Sequence, residues 1–118
     1  MNLSPASLLI VDDDPVFAAF VQQLVLSLGA EFPCATHWVD SAERGLLELE
    51  RTAFDLVLLD YHLPGADGLH VLAKISELPA AHQPAVVMLT GSGNETVAVE
   101  AMKRGGRGAF ASLRTPSR

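Results

Sequence analysis

A single cysteine, Cys34, in 118 residues excludes an intrachain disulfide, and nothing suggests a secreted fold stapled by half-cystines. Cys34 reads as a small buried apolar residue. No apolar stretch approaches the ~20 residues of a membrane span. Met1 to Ala6 carry no Lys or Arg ahead of the short run Leu8 to Val11, so this start is not expected to be a signal peptide. The expectation is a soluble, cytoplasmic protein with no membrane contact. Basic residues are scarce, 8 against 14 acidic, and the net charge of −6 argues against direct nucleic-acid binding through a broad basic face. All the acids lie at or before Glu100. Lys103, Arg104, Arg107, Arg114 and Arg118 follow as a purely basic stretch that reads as a solvated tail.

What is present suffices for one domain with a core, since 49% of the residues are hydrophobic. The expected division is an N-terminal tail over 1–6, a folded domain over 7–113 and a basic tail over 114–118. Three runs, Leu8 to Val11, Leu56 to Leu59 and Val86 to Leu89, lack polar alternation and read as strands of a parallel sheet buried on both faces. Cys34 to Val39 supplies a more polar edge strand, and Ala109 to Leu113 a weak last one. Apolar residues at helical spacing lie between: Phe17, Phe20, Val21, Leu24 and Leu28; Leu46, Leu47 and Leu49; Leu69, Val71, Leu72 and Ile75; Val97, Val99, Ala101 and Met102. Asp14-Pro15 predicts a helix start, Asp40 with Glu43 a capping box, Gly29 a helix end and Asn94 the cap of a fourth helix. The alternation predicts a doubly wound α/β fold, in which ligands bind beyond the carboxyl ends of the strands.

Those ends hold Asp12, Asp13 and Asp14, then Asp60, then Thr90-Gly91. Taken singly each has an ordinary explanation: Asp14 as a cap, Asp12 and Asp13 as loop acids, Thr90 as a satisfied hydroxyl. Together they put oxygen ligands at the same edge of three core strands, where carboxylates repel one another and a cation stabilises them. A few hard oxygen donors suit Mg²⁺, which bridges readily to phosphate.

The motifs LLIVDDDP at Leu8 to Pro15, LVLLDYHLPGADGL at Leu56 to Leu69 and VVMLTGSG at Val86 to Gly93 make the chain resemble the receiver domain of bacterial two-component response regulators. The resemblance runs from about Ser7 to Gly105. It implies a flavodoxin-like five-stranded sheet in the order 2-1-3-4-5 and a phosphoacceptor rather than an enzyme with its own substrate. Asp60 would receive the phosphoryl group from a sensor histidine kinase or phosphotransfer protein. The resemblance implies Mg²⁺ on Asp13, Asp60 and the backbone carbonyl of His62, with Asp12 acting through water. Thr90 and the Gly91 amide would contact the phosphoryl oxygens, and Pro64 and Gly68 shape the loop. His62 reads as a solvent-facing side chain, and His37, His70 and His82 as surface residues without metal spacing.

The family's lysine, which pairs with the phosphoryl group, falls at Ser112, its usual proline at Leu113 and its switch aromatic at Ala109, one residue short of Phe110. The final helix is missing from the pattern. The expected consequences are weakened switching and an apolar surface left for another chain, hence homodimerisation or low stability. The alternatives are a pseudo-receiver that keeps the fold for protein contacts and a phosphohydrolase with Asp60 as covalent nucleophile; the second lacks its general acid, because His62 stands where such enzymes place a second aspartate.

Overall fold

The computed structural model describes residues 5–63, 65–90 and 108–112, with Ala66, Asp67, Thr90 and the last segment described by backbone alone. Strands β1 (Ala6–Val11), β2 (Cys34–Val39), β3 (Leu56–Asp60), β6 (Ala85–Thr90) and β7 (Gly108–Ser112) form one sheet in the order β2-β1-β3-β6-β7, each adjacent pair parallel. Setting aside the small antiparallel pair β4 (His62–Leu63) and β5 (Ala66–Asp67), this is the expected 2-1-3-4-5 order. The first strand starts at Ala6, within the segment expected as a tail, because its N–H donates to the Pro33 carbonyl at 3.0 Å and extends pairing toward β2. The last strand spans Gly108–Ser112, a one-residue offset from the expected run, and pairs with β6 along its whole length. The expected fourth helix with its Asn94 cap, Gly91, Pro64 and the C-terminal tail lie outside the described residues.

Helix α1 (Pro15–Ser27) starts as expected. The Asp14 side chain accepts from the Val16 N–H at 2.9 Å, and Pro15 occupies a position whose missing donor costs nothing. Just beyond its end Gly29 adopts φ 70°, the left-handed conformation that suits glycine. Helix α2 (Ala42–Arg51) departs from expectation at its start. Ser41 is the cap and accepts from the Arg44 N–H at 3.2 Å, whereas Asp40 lies outside the helix, 4.0 Å from the Arg44 side chain. A serine hydroxyl one residue nearer the first turn displaces the carboxylate.

Helix α3 (Gly68–Ser76) and α2 cover one sheet face, where Leu9, Val11, Val57, Leu59, Val86 and Met88 pack with Leu49, Val71, Leu72 and Ile75. On the opposite face α1 seats Ala18 and Val21 on Leu8 and Ile10. The expected apolar face of α1 is only partly used. Phe17 and Val25 are half-buried, but Phe20, Leu24 and Leu28 are exposed, because the apolar stripe is wider than the part that meets the sheet. Cys34 is likewise only half-buried.

The join between β5 and α3 is tight. The Gly68 N–H donates to the Tyr61 carbonyl at 2.8 Å, and a Cβ at Gly68 would lie 2.9 Å from the Tyr61 Cα. Backbone cannot yield as a side chain can. Gly68→Ala should therefore lower unfolding stability by about 2 kcal/mol, read as a reduced urea midpoint at constant m-value.

Candidate phosphoacceptor site

The sheet's hydrogen bonding builds the site from three strand ends. The Asp12 N–H donates to the Val39 carbonyl at 3.1 Å, which continues the β1–β2 ladder past Val11 and draws Asp12 into the fold. Asp12 is buried, with 6% of its surface exposed. Its Oδ1 accepts from the Asp14 N–H at 2.8 Å, closing an Asx turn that aims the Asp13 side chain away from the core. On β3 the Tyr61 N–H donates to the Leu89 carbonyl at 3.0 Å, so Asp60 is held in the ladder. Asp60 Oδ1 accepts from the His62 N–H at 3.1 Å, and the His62 side chain is exposed, edge-on to Tyr61.

Carboxylate oxygens of Asp12, Asp13 and Asp60 come within 4.8 Å of one another. The three sequence-selected acids therefore do converge. Burial pushes the Asp12 carboxyl up to about 6; the Asp14 N–H opposes this, and the charges of Asp60, Asp13 and Asp14 add to it. Asp60 is raised for the same leading reason, burial, with the His62 N–H pulling down and Asp13 pushing up. Mutual repulsion and partial desolvation with few compensating donors are what a divalent cation relieves. The all-oxygen set of Asp12, Asp13 and Asp60 fits a small hard ion.

Thr90 ends β6 at the same sheet edge, with Leu89 paired to Asp60 and Thr90 to Ser112. Ser112 thus stands directly beside Thr90 in the sheet. Pro64 and Gly91 lie outside the described residues. Among the histidines, His82 is not a free surface side chain: its Nδ1 lies 3.0 Å from the Leu49 carbonyl. His37 sits 3.8 Å from a Glu48 carboxylate oxygen. A further contact had no counterpart in the sequence reading. The Trp38 indole N–H donates to the Asp12 backbone carbonyl at 2.7 Å across 26 residues, fixing the first acidic residue from the neighbouring strand.

The chain belongs to the response regulator receiver domain family, whose model matches residues 8–111. It is 33% identical over 107 residues to the nitrate/nitrite response regulator protein NarL of Escherichia coli K12, covering 91% of this chain and 48% of NarL. It is 39% identical over 100 residues to the response regulator protein FleR of Pseudomonas aeruginosa, covering 85% of this chain and 20% of FleR. The chain thus spans about half or less of these relatives' length. Among solved structures, a receiver domain protein of Methanospirillum hungatei superposes with TM-score 0.76 at 26% identity, covering 96% of this chain and 85% of that one. The receiver domain of the sensor histidine kinase PA1611 of Pseudomonas aeruginosa, solved with magnesium coordinated in its active-site cleft, shares the fold at TM-score 0.75 and 22% identity, covering 98% of this chain and 88% of that one. Among the described residues no helix is long and apolar enough to cross a membrane.

Proposed function

We propose that Asp60 is the phosphoacceptor of this receiver domain, that Mg²⁺ is its cofactor, and that its donor is a phosphohistidine on a sensor histidine kinase or phosphotransfer protein. The observation that carries the reading is the approach of Asp12, Asp13 and Asp60 oxygens to within 4.8 Å at the carboxyl edge of the sheet. A free Asp60 oxygen attacks phosphorus, the P–N bond breaks, and the electron pair leaves on the imidazole nitrogen, yielding an aspartyl phosphate. The His62 N–H orients the acceptor by holding its other oxygen. Asp13, Asp60 and the His62 carbonyl would hold the metal directly and Asp12 through water. Bound Mg²⁺ supplies the positive charge that offsets repulsion between the carboxylates and the incoming phosphoryl group. Thr90 and Gly91 are proposed as the phosphoryl contacts.

Charge neutralisation and positioning account for nearly all of such a transfer, so no separate general base is needed. The test is incubation of the 118-residue chain with a small phosphodonor such as phosphoramidate, with MgCl₂ or with EDTA. Intact mass should rise by one phosphoryl group with MgCl₂ only. An unchanged mass at saturating donor would overturn the reading.

A further inference from the structure

The side of α1 turned away from the sheet carries a row with no described partner. Val16 is 76% exposed, Phe20 57%, Leu24 51% and Leu28 51%, spaced four residues apart so that they line one side of the helix, with Phe32 58% exposed in the turn beyond. From Pro15 to Ala30 the chain holds no Asp, Glu, Lys or Arg. Exposed helical surface is ordinarily charged, and a row of this kind is outside the run of single exposed apolar residues that needs no explanation.

We propose that this face of α1 is the interface of a homodimer, in which the row packs against the same row of a second copy. Two observations select a second copy over other occupants. The chain is acidic, −6 overall, so most of its surface repels its own kind, whereas Pro15 to Ala30 meets a copy without like-charge contact. Depletion of charge with enrichment in phenylalanine is also the composition of an interface core. The area agrees: the five side chains expose on the order of 500 Å² per copy, so two facing copies bury about 1,000 Å², the lower bound of specific contacts. An interface at that lower bound is a weak, reversible one, and the dissociation constant is expected on the order of 10 μM.

A two-fold arrangement makes the contact isologous, each row meeting itself, so that one substitution alters the interface twice. The interface does not use the acidic pocket, and its test is independent of phosphorylation. Sedimentation velocity of the 118-residue chain between about 1 μM and 1 mM should show a monomer–dimer equilibrium. Phe20→Glu should weaken the dimer by about 30-fold or more while leaving the far-UV circular dichroism unchanged. Leu24→Cys in a Cys34→Ser background should form an intermolecular disulfide under mild oxidation. A wild-type chain that stays monomeric at ~1 mM overturns the proposal. So does a dimer that Phe20→Glu and Leu24→Glu both leave intact.

Discussion

Asp60→Asn is expected to abolish phosphoryl gain while raising the stability of the metal-free protein at neutral pH. Asparagine keeps the oxygen that accepts from the His62 N–H, so the local geometry has no reason to change. It removes a charge that burial and Asp13 both disfavour. The sign follows from linkage. Asp12 and Asp60 both have folded-state pKa values above the ordinary carboxylate value, Asp12 at about 6. Between about pH 4 and 6 the folded state therefore binds more protons than the unfolded one, and stability falls as pH rises through that window. Above it the unfavourable effect is complete, for Asp12 on the order of 2–3 kcal/mol.

Wild-type protein without metal should consequently melt several degrees lower at about pH 7.5 than at about pH 5, and Asp60→Asn should flatten that dependence. Added Mg²⁺ should raise the wild-type melting temperature at neutral pH, because a ligand of the folded state alone stabilises it by mass action. The increment should shrink below about pH 6, as the carboxyls protonate. Asp60→Asn should weaken Mg²⁺ by about 100-fold or more, since losing a supporting group alone commonly costs 10- to 100-fold. The indole of Trp38, hydrogen-bonded to the Asp12 carbonyl, is the natural reporter, and its fluorescence should follow the titration in wild type. A variant that melts lower than wild type at every pH, with its circular dichroism changed, would show that Asp60 is structural.

The sheet was legible because its central strands are apolar throughout, although only β1, from Leu8 on, is buried residue after residue and Leu56, Leu58, Val87 and Leu89 are half-buried on the second face. Leu8 to Val11, Leu56 to Leu59 and Val86 to Leu89 have no alternation to mislead, and the residue that ends each run falls at one edge by the geometry of parallel pairing. The same geometry made Asp12, Asp13 and Asp60 legible as a set. Contacts decided by three-dimensional proximity were not. Trp38 falls within the run expected as an edge strand, and only the β1–β2 register, which pairs Ile10 with Trp38, brings its indole to Asp12. The cap of α2 went to Ser41 over Asp40 because two adjacent residues both have capping chemistry and only backbone geometry chooses between them. Periodicity marked Phe20, Leu24 and Leu28 as core-facing, but it reports which side of a helix is apolar and not whether anything packs there.

Ser112→Lys should tighten capture of beryllofluoride, a phosphoryl mimic, by about 10- to 100-fold in the presence of Mg²⁺. The backbone register argues for this position, since Thr90 and Ser112 are direct neighbours at the carboxyl end of adjacent parallel strands. A lysine there would bring a cation to the edge where Thr90 stands and Asp60 ends β3, and a charge-assisted hydrogen bond to a phosphoryl oxygen is worth about 1.5–3 kcal/mol. Ser112→Met, of similar length and no charge, should leave affinity at the wild-type level. The same pair separates accepting a phosphoryl group from responding to it. If the three acids suffice for transfer, wild type and both variants should be phosphorylated at rates within a few-fold of one another, and only Ser112→Lys should convert the bound group into a large stabilisation of the fold. Equal beryllofluoride affinity in all three proteins would show that the cation is supplied from elsewhere in the chain and that the residue at position 112 does not govern the response.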